Sequence, residues 1–325
     1  MLLLDGRDME DLLDVRRAIE EVRRALGEQA RGQVQMPARQ TTDTQDGHNW
    51  LRISQAFLNG SGFMGFKAMN RAAGIGMRYL IGLYRIDTGE LLSLMDANWI
   101  TTRRTAATNA IATDLLAVRT DRTVGIIGSG VQARAFLEAY ATLRDLERVR
   151  VFSPRKESRE DFAETMSEKL HVSVEPLASA QEVASQCPTV VLAMRAPRAP
   201  VYLTAWMRPG VHVTGLSSVR VEAREVDDGV WTRSDLVVVD DRVTVFQSGD
   251  GRSAAAAGVD PSALPELWEL AAGKVGRAGP HDMTLFKSAG DAMQDVAVAV
   301  GAYELATSAG VGRQITAFPE VKPYA

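Results

Sequence analysis

Gly128-Ser129-Gly130-Val131-Gln132-Ala133 joins an apolar run ending at Ile127 to a segment whose Phe136, Leu137, Tyr140 and Leu143 recur at helical spacing. Val124, Ile126 and Ile127 are β-branched, so the run reads as a strand that turns through the glycines into a helix. Glycine at 128 permits the tight bend. Glycine at 130 lets the backbone approach a pyrophosphate, the small Ala133 lets helix pack on strand, and the free N–H groups of the helix start attract the anion. The chemistry implied is dinucleotide binding, with Ser129, Val131 and Gln132 beside the pyrophosphate; for Ser129 and Gln132, loop filling is an equal reading. About 20 residues further on, where an acid usually meets the ribose 2′-hydroxyl, the chain has Ser153, Arg155 and Lys156. These suit a 2′-phosphate, so NADP(H) is favoured, while Glu157 keeps NAD(H) open.

A second group of residues could hold a substrate. Arg39 stands in Met36-Pro-Ala-Arg39, Lys67 among glycines and aromatics in Gly62-Phe-Met-Gly65-Phe-Lys67, and Arg104 in the Thr/Ala-rich stretch Thr101-Thr-Arg-Arg104. Any one of them alone would be an ordinary surface cation. Together with a nicotinamide they point to a small anionic substrate.

The elements that must position these residues follow from periodicity. Residues 8–30 read as one amphipathic helix, with Met9, Leu12, Leu13, Val15, Ile19, Val22 and Leu26 on one side. Residues 78–85 and 91–94 flank Asp87-Thr-Gly89 as a hairpin, and a helix follows over 101–118, with 119–122 as the linker into the nucleotide domain. Strand-like runs at 149–152, 190–193, 211–215 and 236–239, separated by helix-length segments, describe a doubly wound parallel sheet. The run 254–257 reads as local helix, and no internal repeat is visible.

Bulk properties narrow the function classes. The chain has 325 residues, 46% hydrophobic and 24% charged, as expected of a globular enzyme with two cores. A net charge of −4 offers no footprint for nucleic acid. Charges at Asp5, Arg7 and Asp8 interrupt any signal-peptide core, and no apolar run approaches a membrane span, so a cytoplasmic protein is expected. Cys187 is the only cysteine, and His48, His171, His212 and His281 lack metal-ligand spacing, so no disulfide and no metal are expected.

Taken in order, Met36-Pro-Ala-Arg39, Gly65-Phe-Lys67, Asp96-Ala-Asn-Trp-Ile-Thr-Thr-Arg-Arg104, the glycine turn and Thr284-Leu-Phe-Lys-Ser288-Ala-Gly290-Asp-Ala-Met-Gln-Asp295 resemble the ornithine cyclodeaminase/mu-crystallin family over nearly the whole chain. The resemblance implies an α/β protein in which a Rossmann doubly wound parallel sheet, residues 120–301, is inserted into a second α/β substrate and dimerisation domain formed by 1–119 and 302–325. It implies a homodimer. It also implies that Arg39, Lys67 and Arg104 hold the substrate carboxylate, with Lys67 close to the reacting carbon, and that the segment from Ser288 through Gly290 to Asp295 lines the nicotinamide end of the cleft and leads back to the first domain.

One departure bears on the reaction. Where the cyclodeaminases of the family carry a catalytic Asp after the His212 strand, this chain has Val219, which cannot take a proton. The Ser217-Ser218-Val219-Arg220 run and Phe286-Lys-Ser288 are more similar to the mu-crystallin side of the family, which implies reduction of cyclic ketimines with NADPH. The expected activity is an NAD(P)H-dependent imine reductase or amino-acid dehydrogenase acting on a small 2-imino or 2-oxo carboxylic acid. The alternatives are an N-carboxyalkyl amino acid dehydrogenase, an ammonia lyase with catalytic NAD, and a ligand-binding protein. Residues 41–59, with His48 and Trp50, fit the family least and are expected to shape specificity.

Overall fold

The computed structural model describes every residue except 196, 217–219, 317 and 323–325. The chain forms two compact units, one of Met1–Arg104 with Asp291–Ala325 and the other of Thr105–Gly290.

The first unit is built on an eight-stranded sheet. Its three longest strands, Trp50–Leu58, Phe63–Ala72 and Gly76–Arg85, run antiparallel, with Ser54 opposite Lys67 and Lys67 opposite Ile81. Gly76–Arg85 then pairs with Leu91–Asp96 as the expected hairpin. Because side chains alternate along a strand, Ala56, Leu58, Phe63, Gly65, Lys67, Ile81 and Leu83 share one face, and all are buried. The helix Ala292–Ala309 lies against that face: a Cβ on Gly65 would stand 3.2 Å from Val296. The helix Val15–Ala30 packs in turn on Ala292–Ala309, so closely that a Cβ on Gly301 would come within 2.7 Å of Glu21. On the opposite face Ile53, Phe66 and Tyr84 are half-buried, Leu51 and Leu80 exposed.

The single helix expected over 8–30 is two helices, Gly6–Leu12 and Val15–Ala30. Leu13 leaves helical backbone at the end of the first, and Asp14 caps the second by accepting from Arg17 N at 2.8 Å. The apolar stripe survives the break because Leu13 and Met9 remain buried.

The second unit holds a seven-stranded, all-parallel sheet in the order Ser173–Pro176, Arg148–Phe152, Thr123–Ile127, Thr189–Leu192, His212–Leu216, Thr284–Ser288, Leu236–Val239. The chain winds outward from Thr123–Ile127 in one direction, then returns to start again from its other side at Thr189–Leu192. That reversal is the switch point at which doubly wound folds bind ligands. The Ser173–Pro176 strand went unread in the sequence, since it is short and holds one buried residue, Val174.

The two cuts in the chain fall at 104 and 290 rather than at 119 and 301. The cause is packing. The later part of the helix Asn98–Leu116 is tied into the second unit, where Thr113 Oγ1 meets Thr214 Oγ1 at 2.8 Å and Asp114 pairs with Arg144. The helix Ala292–Ala309 instead covers the sheet of the first. Among the described residues, no helix is long and apolar enough to cross a membrane.

Candidate functional site

The glycine turn sits at the carboxyl end of Thr123–Ile127, and each small residue has a visible reason. Gly128 has φ +122°, and a Cβ there would run into the Ala193 carbonyl oxygen. Its N–H donates to Phe152 O at 2.7 Å, fastening the turn to the next strand. Gly130 is the N-cap of the helix Val131–Ala141, with no side-chain cap and nothing within 4 Å of where a Cβ would be. Ala133 is fully buried at the first turn of that helix. The helix start therefore faces open space with backbone donors uncapped by any side chain. The amide oxygen of Gln132, buried and without a partner among the described residues, can accept from a ribose hydroxyl. These residues fit a dinucleotide pyrophosphate.

Ser129 Oγ donates to Ser153 Oγ at 3.0 Å, and Ser153 Oγ to Arg155 O at 3.3 Å. Ser153 is buried, Arg155 and Lys156 exposed at the start of the helix Lys156–Leu170. Sequence reading missed Arg159, one helical turn beyond Arg155, whose Nη1 donates to Ser153 O at 3.0 Å and whose guanidinium lies over the Phe152 ring. Of the three cations that follow Ser153 in the chain, Arg159 touches it, while Lys156 has the Glu160 carboxylate 3.7 Å from its ammonium.

Ser288 and Gly290 have a partner that the sequence reading also missed. Ser288 Oγ donates to Asp240 Oδ2 at 2.7 Å, and the N–H groups of Ala289 and Gly290 donate to the same carboxylate at 2.9 and 2.7 Å. Burial pushes the Asp240 carboxyl up against these donors. The turn is therefore the cradle of a buried acid, which fixes the backbone of residues 288–290. The Val219 position lies outside the described residues.

In the first unit, Lys67 and Arg104 come together on one carboxylate. Lys67, 4% exposed, donates to Asp295 Oδ1 at 3.0 Å and to Thr101 Oγ1 at 2.7 Å, and its ammonium lies 5.1 Å from the centre of the Tyr79 ring. Arg104 donates through Nε to Asp295 Oδ1 at 2.9 Å and through Nη1 to Gln294 Oε1 at 3.3 Å. Thr101 and Arg104 are three residues apart on a helix and so share a face. Gln294 and Asp295 occupy the first turn of the helix Ala292–Ala309, which Asp291 caps by accepting from Gln294 N at 2.8 Å.

Arg39, half-buried, immediately precedes the strand Gln40–Asp43, whose Thr41 is paired with Arg52. The register puts Thr41 and Arg52 on the Lys67 side of the sheet, and Arg39 lies one residue outside the paired strand. Arg52 is held there by Thr41 Oγ1 at 2.8 Å and by the Trp50 ring. Thr101 and Tyr79 had drawn no role from the sequence, and Gln294 and Asp295 only a place in the segment expected along the nicotinamide end of the cleft. The available signal was an acid inside an apolar helix.

Burial drives the Lys67 ammonium down to about 8, against the pull of Asp295 and with the push of Arg104 and Arg52. Burial alone would raise the Asp295 carboxyl, but Arg104 and Lys67 outweigh it and hold the group below the ordinary carboxylate range. The cluster carries more positive than negative charge in a mostly dry setting. It can receive a small carboxylate, and Lys67 can give up a proton near neutral pH.

The model of the ornithine cyclodeaminase/mu-crystallin family matches residues 2–310. The alanine dehydrogenase of Archaeoglobus fulgidus is 31% identical over 329 residues, covering 98% of each chain. Among solved structures, the Thermococcus litoralis Delta(1)-pyrroline-2-carboxylate reductase in complex with NADH and L-proline is 32% identical, with TM-score 0.90 over 97% of this chain and 100% of that one. An archaeal alanine dehydrogenase dimer with bound NAD is 29% identical, with TM-score 0.90 over 98% of this chain and 99% of that one. The glycine turn, the parallel sheet and the Lys67–Arg104 pair all lie inside the matched span, and the chain belongs to the ornithine cyclodeaminase/mu-crystallin family.

Proposed function

We propose that this protein is an NAD(P)H-dependent oxidoreductase that reduces the C=N bond of a small 2-imino carboxylic acid, either a cyclic imine or one formed from a 2-oxo acid and an amine. The observation that carries the reading is the buried Lys67–Arg104 pair, a carboxylate receptor in a unit separate from the nucleotide turn. Relatives bearing the names of a pyrroline-2-carboxylate reductase and an alanine dehydrogenase support the substrate class.

When bound, reduced nicotinamide supplies the hydride. The chain's own residues do the rest. Arg39 and Arg104 clamp the carboxylate, orienting the substrate and spreading its charge over guanidinium donors. Lys67 completes the clamp and holds a proton for the imine nitrogen. Gly128, Ser129, Gly130, Val131 and Gln132 take the pyrophosphate, with Ser288 and Gly290 at the nicotinamide end. Ser153, Arg155, Lys156 and Arg159 favour NADPH over NADH. Val219 disfavours the cyclodeaminase alternative, whose ring closure and ammonia loss want a positioned base.

The same reading includes a cytoplasmic homodimer, with the first unit serving both substrate and partner. Its support is the uncovered sheet face of Leu51, Ile53, Phe66 and Leu80, of which Leu80 is 40% exposed. Light scattering should give twice the 35.3 kDa chain mass. Leu80→Arg should shift the protein toward monomer.

The activity is tested by following the reduced-nicotinamide absorbance with pyrroline-2-carboxylate, piperideine-2-carboxylate, and pyruvate with ammonia. Oxidation of NADPH by at least one of these is expected. Proline and ammonia formed from L-ornithine with catalytic NAD, and no net change in absorbance, would overturn the reading.

A further inference from the structure

The family resemblance gives the acid between the two buried cations only a place in the segment along the nicotinamide end of the cleft, and its geometry here is specific. A single oxygen, Asp295 Oδ1, accepts from Lys67 Nζ at 3.0 Å and from Arg104 Nε at 2.9 Å. It joins a cation on a sheet to a cation on a helix. Asp295 is itself buried and stands in the first turn of the helix Ala292–Ala309, where the backbone dipole favours negative charge.

We propose that Asp295 is the positioning residue of the reduction: it fixes Lys67 Nζ beside Arg104 and keeps that nitrogen protonated, so that Lys67 delivers a proton to the C=N nitrogen as hydride arrives at carbon. This rests on the imine-reductase reading. A C–H bond forms from the hydride, oxidising the nicotinamide ring and reducing the imine carbon. The C=N π pair forms an N–H bond with the Lys67 proton, and the neutral amine left on Lys67 is reprotonated by water.

Charge balance makes the assignment. Lys67 faces Asp295 and Arg104 from the two helices, and Arg52 and Tyr79 from the neighbouring strands. Asp295 is the only negative charge in that set. Without it, a dry ammonium would stand among guanidinium groups with nothing to offset them, and would shed its proton. Lys67 would then be both a poorer carboxylate receptor and an empty proton donor.

The test compares the unmodified protein with Asp295→Asn and Asp295→Glu. Two quantities are followed against pH: calorimetric binding of pyrrole-2-carboxylate, a planar carboxylate that is not reduced, and kcat/KM for pyrroline-2-carboxylate with NADPH. In the unmodified protein both should fall as Lys67 loses its proton. Asp295→Asn should move that midpoint down by about 1–3 pH units, with a loss of about tenfold or more between the two midpoints that narrows again at lower pH. Asp295→Glu, which keeps the charge, should restore most of the midpoint.

A uniform loss at every pH, with the midpoint unmoved, would make Asp295 purely architectural and overturn the proposal. If Asp295→Asn does not fold, Lys67→Arg decides: arginine stays charged, so the alkaline fall should vanish, and its persistence would overturn the proposal. Absence of turnover in the unmodified protein, with an Asp295-dependent midpoint still present in pyrrole-2-carboxylate binding, would overturn the reductase reading while upholding the hold of Asp295 on Lys67.

Discussion

Ser129 donates a hydrogen bond to Ser153 across 3.0 Å, joining the pyrophosphate turn to the end of the next strand. The position expected to carry a ribose-binding acid in an NAD enzyme thus holds a hydroxyl already oriented by the turn, with Arg159 on its backbone carbonyl and Arg155 and Lys156 next in the chain.

NADPH should bind more tightly than NADH. Loss of one charge-assisted phosphate contact in Arg155→Ala should weaken NADPH by about 1.5–3 kcal/mol and leave NADH nearly untouched. Ser153→Asp should invert the preference by repelling the 2′-phosphate. Isothermal titration measures all of these, and equal affinities in the unmodified protein would refute the assignment.

The two glycines of the turn should fail differently. Gly128→Ala forces a side chain onto a positive φ and against the Ala193 carbonyl, so it should lower folding stability by roughly 1–3 kcal/mol as well as nucleotide affinity. Gly130→Ala meets nothing in the free protein and should keep its melting temperature while losing nucleotide affinity. Denaturant melts beside titrations separate the two, and an equally destabilised Gly130→Ala would count against the open approach at the helix start.

Arg39→Ala, Lys67→Ala and Arg104→Ala should each lower imine reduction by ~10²-fold with cofactor affinity preserved, since a misplaced substrate loses rate rather than cofactor. The charged form of Lys67 dominates below about 8, so kcat/KM of the unmodified protein should decline as pH rises through that value. A flat alkaline profile would show that another group supplies the proton.

His212 offers a stability test remote from the chemistry. Its ring nitrogens meet Thr284 Oγ1 at 2.8 Å and Thr214 Oγ1 at 2.7 Å, and burial, with Arg277 adding to it, pushes the imidazole down from 6.5 to about 3. The unfolded chain therefore binds more protons between those values, and stability is lost as pH falls through that window, at up to about 1.4 kcal/mol per pH unit. Urea melts at several pH values should show a shallower slope in His212→Gln, and equal slopes would exclude His212 as the cause.

Local features were legible in the sequence because their causes are local. The glycine turn, the hairpin and the recurrent apolar strands each depend on residues within a few positions of one another, and the structure has all of them. The break at Asp14 was hidden because the apolar stripe runs through it, while a capping residue looks like any other polar position on the exposed side. Asp295 and Asp240 were hidden for a different reason. Lys67 and Asp295 are 228 residues apart, and Ser288 and Asp240 are 48 apart, so only the completed topology reveals the pairing. The cuts between units fell elsewhere because the helix Asn98–Leu116 runs through the first of them, and the helix Ala292–Ala309 runs through the expected boundary at 301, without a change in composition.

The first unit is made from both ends of the chain, which gives its assembly an order in time. During synthesis the long strands emerge early, but the helix that covers their apolar face and carries Asp295 begins only after Gly290. The parallel sheet of the second unit can complete while the first still waits, since domains tend to fold as units during synthesis. A nascent chain at that stage presents Leu58, Ile81, Leu83 and the charged Lys67 to solvent, a surface suited to chaperones. A message cut short near codon 290 would yield a nucleotide unit with all its strands attached to a sheet lacking its cover and the counter-charge of Lys67.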